Sequence, residues 1–190
     1  SGTVRSAIVA AQDFPEADIR VIDTRLIASP LGSLVQLAAQ WAEQGLSADE
    51  IETRIKGMAA GCRIYFLVAT LEYLEKGGRI GGAAALLGSV LQVKPILTLQ
   101  NGRVEPYEKE RTMRRALQRI HVLVDQQAPH SEQAYPSVMH GAAPEQAQEL
   151  AEAVARILGL AQVPVLPMPP AVVTHAGPGV LGVGFFTQPV

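Results

Sequence analysis

The pair Asn101-Gly102 is the sequence feature that most restricts how this chain can fold. It separates "KPILTL" from "RVEPYEK", and both runs have the alternating pattern of a half-buried strand. Asn-Gly is the preferred pair for a two-residue hairpin turn, in which both central residues need positive φ. Residues 94–109 are therefore predicted to form a β-hairpin.

Helical and strand patterns alternate along the rest of the chain. In the first third, "DIRVIDT" has strand periodicity, the apolar residues of "LVQLAAQW" have helical spacing, and Ser47 with Glu50 forms a capping box for the next helix. "CRIYFLVA" is a short run of strand-forming residues. After the hairpin we predict a helix over 112–126, a strand at "AYPSVMH", and a long helix opened by Pro144. Prolines in the tail "VPVLPMPPAVVTHAGPGVLGVGFF" favour edge or irregular strands at its start.

The order of these elements predicts an α/β fold with two units. Up to about residue 58, strand and helix alternate as in a doubly wound parallel sheet. Beyond residue 61, the hairpin and the helices between strands indicate a mixed or antiparallel sheet covered by helices. We therefore predict a partial N-terminal domain over 1–58 and a second domain over 59–190, with no flexible linker between them.

Composition excludes several classes of protein. The formal net charge is −2, from 16 basic and 18 acidic residues, which gives no field to hold a nucleic-acid backbone. Cys62 is the single cysteine, so an internal disulfide and a cysteine-based zinc site are both excluded. One unpaired cysteine fits a reducing cytoplasm. No apolar run approaches the roughly 20 residues that a membrane-spanning helix needs.

The segment 71–93, "LEYLEKGGRIGGAAALLGSVLQV", contains two glycine pairs around one arginine. It matches neither the Walker loop nor the G-x-G-x-x-G dinucleotide loop, which argues against a nucleotide-binding domain. Gly77 is predicted to end a short helix over 70–76, with Gly81-Gly82 loosening the chain before the next helix. The alternative, a cradle of backbone N–H groups for an anion, stays open at this point.

Three segments contain candidate site residues. In "SGTVRSA", Ser1 or Thr3 can hold an anion at a helix N-terminus, although an ordinary helix cap explains them equally. Arg79 lies between the glycine pairs, and its guanidinium fork suits a carboxylate or a phosphate. His175 is expected between a strand and a Gly-Pro-Gly turn, as a ligand or as a structural histidine.

The motifs "SGT-x-x-SA", "VIDT", "LEYLEKGGRI", "LLGSVLQVKPIL", "G-R-V-x-x-x-x-K-x-R" and "THAGPG" occur in this order. In content and spacing they resemble the DegV family of bacterial fatty-acid-binding proteins, over residues 1–186. Three departures are mild: Thr24 where the family usually has serine, Val4 where an aromatic is common, and Ala176 where threonine often follows the histidine.

The resemblance implies a two-domain α/β fold that buries a long-chain fatty acid such as palmitate, with no cofactor and no metal. By motif, it implies that Ser1, Gly2, Thr3, Arg79 and His175 gather around the carboxylate. The small and aliphatic residues 83–91 are suited to line the acyl tunnel, although plain core packing explains them equally.

The resemblance also implies a carrier with no catalytic residue of its own. In some family members a separate fatty acid kinase phosphorylates the bound carboxylate to an acyl phosphate. Arg111, which closes the "K-x-R" pattern, is then expected to help dock that kinase. The other two arginines of "EKERTMRR" are expected on a solvated helix face.

The alternative class is an acyl hydrolase or transferase with Ser1 as nucleophile, His175 as base and Asp23 as orienting group. Against it, the serine is not in a G-x-S-x-G elbow, and no sequence signal places Asp23 near His175.

In the family, a substantial segment with the first strands and a further head-group threonine precedes the "SGT" motif. We therefore expect residues 1–58 to form an incomplete layer with an open sheet edge and exposed apolar surface. Leu34, Leu37 and Trp41 are then expected to be poorly buried. The second domain is expected to be well ordered.

Overall fold

The fold is built around one six-stranded mixed sheet, in a computed structural model that describes residues 2–88 and 93–188. The strand order is β3-β2-β1-β6-β4-β5. The strands are β1 Cys62–Leu67, β2 Lys94–Gln100, β3 Arg103–Glu110, β4 Ser137–His140, β5 Val165–Pro167 and β6 Leu181–Phe186. The α-helices are α1 Gly2–Ala11, α2 Ala28–Glu43, α3 Ala48–Gly61, α4 Glu72–Lys76, α5 Met113–Gln127, α6 Pro144–Leu158 and α7 Pro170–Ala176. Two short 3₁₀ helices span Gly81–Leu86 and Glu132–Ala134.

The predicted hairpin is confirmed. Asn101 and Gly102 have φ of 52° and 74°, and they connect β2 and β3 as an antiparallel pair. β1 joins β2 to β6, and β6 pairs antiparallel with both β1 and β4. Among the described strands, only the short edge strand β5 pairs in parallel, with β4. The mixed sheet expected for the second unit is therefore present.

The two faces of the sheet are covered differently. On one face, Tyr65, Leu67, Val183 and Phe185 pack under the long helices α5 and α6 in the largest apolar cluster. On the other face, Ile64, Phe66, Leu97 and Met139 pack under the short elements α4, the 3₁₀ helix Gly81–Leu86 and α7. Short helices cover less area than long ones, so this second face has room for a cavity.

Helices α2 and α3 form a third apolar cluster at the end of the sheet. Leu34, Leu37 and Trp41 are only 1%, 6% and 6% exposed, so the expectation that they are poorly buried is wrong. Phe186, at the end of β6, and residues of α3 cover them. Ser47 and Glu50 form the predicted capping box of α3. The division of the chain near residue 58 stays a prediction.

The strand predicted at "DIRVIDT" is wrong. Residues 18–27 run between α1 and α2 without strand pairing to any described residue. Ile22, and Leu26 just after the pattern, pack partly against neighbouring clusters, whereas Ile19 is about half exposed. An alternating pattern is not sufficient for a strand, which also needs a hydrogen-bonding partner.

The expected exposed apolar surface is present in the N-terminal part, whereas the expected open sheet edge is not, since no described residue before β1 forms a strand. Helix α1 buries none of its described residues, and Ile8, Val9, Phe14 and Ile19 are about half exposed or more. In the described part of the chain, no helix combines the length and the apolar character needed to cross a bilayer.

Candidate functional site

A cavity of about 710 Å³ lies on the sheet face that the short helices cover. Its floor is buried and apolar, from Phe66, Leu74, Val104, Met139, Met168, Ala176 and Val180. We use "the rim" for its exposed lining residues, which are Arg25, Ile27, Gly78, Arg79, Gly81, Gly102, Arg103 and Ala171. The floor suits an aliphatic chain, and the rim adds three guanidinium groups.

The glycine-bracketed segment places Arg79 on the rim. Gly77 has φ −77° and still continues the turn of α4, while Gly78 takes the left-handed φ of 67°. The Gly78 and Arg79 backbone N–H groups donate to the carbonyls of Glu75 and Leu74, as in a Schellman C-cap. The helix stop predicted at Gly77 is therefore made one residue later, at Gly78. An Arg79 guanidinium N–H donates to the Gly77 carbonyl at 2.7 Å.

His175 meets Arg79 at the same glycine. The imidazole packs on Gly77 so closely that a Cβ there would overlap its Nδ1 atom. That Nδ1 is buried and has no hydrogen-bond partner among the described residues. Buried polar atoms normally have a partner, so this nitrogen is an exception. It faces Gly77 and has almost no accessible surface, so a molecule in the cavity can contact the imidazole only through other atoms of the ring.

His175 lies on a helix, which corrects the expected strand end. Pro170 occupies the first turn of α7, where its missing N–H is harmless, and Gly177 ends the helix with φ 83°. Gly177 packs directly on the Tyr73 ring of α4. Helices α4 and α7 therefore touch through two glycines, Gly77 and Gly177, and this contact fixes the imidazole beside the arginine.

The remaining predicted site residues lie elsewhere. Gly2 and Thr3 are exposed on α1 and do not belong to the described cavity lining, and Ser1 lies outside the described residues. Arg111 is exposed between β3 and α5, also away from the cavity lining. Of the proposed tunnel segment 83–91, Ala83 and Leu86 are in the core, and residues 89–91 lie outside the described part.

Sequence reasoning did not find Arg25 and Arg103. Arg103 follows the hairpin turn directly, and Arg25 has φ 55° in the segment before α2. An Arg25 guanidinium N–H donates to the Asn101 side-chain oxygen at 3.3 Å, a contact between residues 76 positions apart. A sequence pattern over neighbouring residues cannot reveal a contact between residues so far apart.

Two glycines of β6 also went unnoticed, although their spacing was a usable signal. In "LGVGFF", Gly182 and Gly184 alternate with Val183 and Phe185, which face α5 and α6. The glycines therefore lie on the cavity face. A Cβ at Gly182 would lie 3.0 Å from the Phe66 Cβ and 3.5 Å from the Met168 Cε.

The described residues do not assemble the catalytic groups of the hydrolase alternative. The Asp23 carboxylate accepts the backbone N–H of Arg25 at 3.1 Å, and no hydrogen bond joins it to His175. Burial raises the pKa of the Cys62 thiol to about 12, so it is not a thiolate at neutral pH. No group of three or more His, Cys, Asp or Glu in the described part of the chain is placed to hold a metal ion.

Comparison with known protein families shows which family this chain belongs to. The family model described as "Uncharacterised protein, DegV family" matches residues 1–188. The chain belongs to the DegV family. A DegV domain-containing protein of Streptomyces coelicolor, SCO2569, is 44% identical over 184 residues, which are 96% of this chain and 65% of that protein. This chain thus spans a little less than two thirds of that DegV relative.

Two solved structures share the fold. The DegV protein of Bacillus subtilis, described as a fatty acid binding protein, is 30% identical with a TM-score of 0.86, over 99% of this chain and 67% of that one. A stearic-acid-binding protein of Eubacterium ventriosum is 27% identical with a TM-score of 0.83, over 98% of this chain and 67% of that one. The mixed α/β architecture is therefore that of DegV proteins.

Proposed function

We propose that this DegV chain binds a long-chain fatty acid, with the acyl chain on the apolar floor of the cavity and the carboxylate at Arg79 and His175. The observation that carries the proposal is that Arg79 and His175 line the same apolar cavity and both contact Gly77. The fatty-acid and stearic-acid binding described for the two solved structures supports it.

The cavity supplies the affinity mainly through the acyl chain. Its volume of about 710 Å³ is within the roughly 300–1,000 Å³ of typical small-molecule pockets. Each buried methylene contributes about 0.8 kcal/mol, so a chain of roughly 16 carbons contributes on the order of 10 kcal/mol before the losses on association. The polar groups then mainly orient the ligand.

The chemistry of the two polar groups suits a carboxylate. A carboxylate accepts hydrogen bonds only, and Arg79 is a permanent donor. One Arg79 N–H is used by the Gly77 carbonyl, which holds the guanidinium in place and leaves its other N–H groups for a ligand. The imidazole of His175 also lines the cavity, and a ring nitrogen that bears a proton is a hydrogen-bond donor.

The first prediction is that the purified protein carries a long-chain fatty acid and takes up added palmitate or oleate, while Arg79→Ala and His175→Ala bind more weakly. Loss of one charge-assisted contact costs about 1.5–3 kcal/mol, so we expect affinity to fall roughly 10- to 150-fold in each variant. Lipid extraction with mass spectrometry and equilibrium binding of labelled palmitate measure the two effects.

Arg114→Ala is the matched control, because Arg114 is an exposed arginine outside the cavity lining. It should bind palmitate like the wild type. If no acyl species is extracted and none is taken up, the proposed function is wrong. If both site variants bind normally, the head-group assignment is wrong although the cavity is still occupied.

We further propose that the bound fatty acid is presented to a separate kinase, which transfers a phosphoryl group from ATP to the carboxylate. Presentation requires an exposed surface that the kinase can contact, and Arg111 is exposed and lies outside the cavity lining. It precedes Thr112, which caps α5, so it lies before the helix.

The second prediction is that Arg111→Ala slows acyl-phosphate formation by such a kinase and leaves palmitate affinity unchanged. Initial rates at saturating palmitate, measured over a range of carrier concentrations, should show a raised KM for the carrier. Arg114→Ala again serves as the control. A variant that loses palmitate binding instead would place Arg111 in the ligand site.

A further inference from the structure

Two arginines that the proposed carboxylate site does not use lie on the rim beside the hairpin turn. Arg103 is the first residue of β3, directly after the turn, and Arg25 belongs to the segment before α2. Both side chains are exposed. They line the same cavity as Arg79 and His175.

Contacts between distant parts of the chain hold Arg25 in this place. One guanidinium N–H donates to the Asn101 side-chain oxygen at 3.3 Å. The Arg25 Cβ packs over the turn, where a Cβ at Gly102 would lie 3.4 Å from it. The backbone N–H of Arg25 donates to Asp23, at a left-handed φ of 55° that is uncommon for a non-glycine residue. The segment is thereby fixed on the hairpin, and Arg25 lies on the same side of the rim as Arg103.

The charges on the rim are not balanced by the protein. None of the guanidinium groups of Arg25, Arg79 and Arg103 forms an ion pair with a carboxylate of residues 2–88 or 93–188. The nearby Asp23 carboxylate accepts a backbone N–H, and the Glu105 carboxylate packs over Gly82. A single carboxylate at Arg79 neutralises one of the three positive charges and leaves the pair beside the hairpin.

We infer that Arg25 and Arg103 form a second anion subsite on the rim, which takes a phosphate group attached to the acyl ligand. This inference rests on the proposed function, because the acyl chain must occupy the floor of the same cavity. A phosphate monoester has a charge of about −1.5 to −2 at pH 7 and three strong acceptor oxygens. Two guanidinium groups match the charge and the acceptor oxygens of a phosphate monoester better than they match those of a carboxylate.

The experiment compares hexadecyl phosphate, palmitate and inorganic phosphate in equilibrium binding at one fixed ionic strength, since exposed charges are screened by salt. Wild-type protein is expected to bind hexadecyl phosphate roughly tenfold or more tightly than palmitate. The Arg25→Gln/Arg103→Gln double variant should lose this preference, because its affinity for hexadecyl phosphate falls far more than its affinity for palmitate. Arg114→Gln is the control for the loss of an exposed positive charge, and it should keep both affinities.

The outcomes separate the two proposals. If neither amphiphile binds the wild type, the proposed function fails. If palmitate binds but hexadecyl phosphate is not preferred, or if the double variant weakens both ligands equally, the subsite is wrong and the proposed function stands. Inorganic phosphate that binds with the same dependence on the two arginines, without any preference for hexadecyl phosphate, would assign the pair to free phosphate and overturn the inference.

Discussion

Replacing Gly81 by alanine is expected to lower the free energy of unfolding by about 2–5 kcal/mol. Two separate effects contribute to this loss of stability. Gly81 has φ 53°, a left-handed conformation that costs a residue with a side chain roughly 1–2 kcal/mol. A Cβ there would also overlap the backbone carbonyl oxygen of Val104 in β3. Backbone atoms of a paired strand cannot rotate away, and overpacking costs about 1–3 kcal/mol.

Gly78→Ala is the matched control, because Gly78 lies in the same glycine-rich segment as Gly81. Gly78 has φ 67°, and no atom lies within 4 Å of a Cβ built on it. It should lose only the conformational term, about 1–2 kcal/mol. Urea unfolding of both variants, monitored by circular dichroism, measures the difference. Equal losses would mean that β3 moves to accept the side chain and that the close contact at Gly81 is unimportant.

The sequence predicted those elements whose signal is local. The two positive φ values of the hairpin turn require residues such as Asn101 and Gly102, and the capping box of α3 needs only Ser47 and Glu50. Pro144 in the first turn of α6 and Gly159 after its end are equally local signals. Each of these elements is present, because a few neighbouring residues determine it.

Prediction from the sequence failed for elements whose conformation depends on contacts with distant residues. "DIRVIDT" is extended but unpaired among the described residues, since periodicity does not supply a neighbouring strand. "PAVVTHA" is helical although Val172, Val173 and Thr174 favour strands. Contacts of Gly177 with Tyr73, and of His175 with Gly77, hold this short helix on α4. Tertiary packing overrides a weak local preference in a segment of this length.

The same distinction applies to the site. Arg79 and His175 stood out because glycines surround them, and the structure brings both to Gly77. Arg25 joins the rim only through its contact with the hairpin turn, which sequence spacing does not reveal. The glycines of β6 were a readable signal, since Gly182 and Gly184 alternate with large residues along a strand.

Replacing Gly182 by valine is expected to reduce palmitate affinity by about 100-fold or more. Gly182 is not itself among the cavity-lining residues, but a valine side chain there would press on Phe66 and Met168, which are. Its Cβ would lie 3.0 Å from the Phe66 Cβ and 3.5 Å from the Met168 Cε. If it excludes about four methylenes, at about 0.8 kcal/mol each, the loss is roughly 3 kcal/mol. That loss corresponds to a factor of more than 100 in Kd. Decanoate, with fewer methylenes to place, should lose less affinity than palmitate.

A second substitution separates cavity filling from a general disturbance of the sheet. Met168→Ala in the Gly182→Val background removes the side chain that the valine approaches, and it should restore part of the palmitate affinity. Binding is measured well below the unfolding transition of each variant, because the tight contact with Phe66 also lowers stability by about 1–3 kcal/mol. If palmitate and decanoate are weakened equally and Met168→Ala restores nothing, Gly182 does not contact the acyl chain. The ligand must then lie in another part of the cavity.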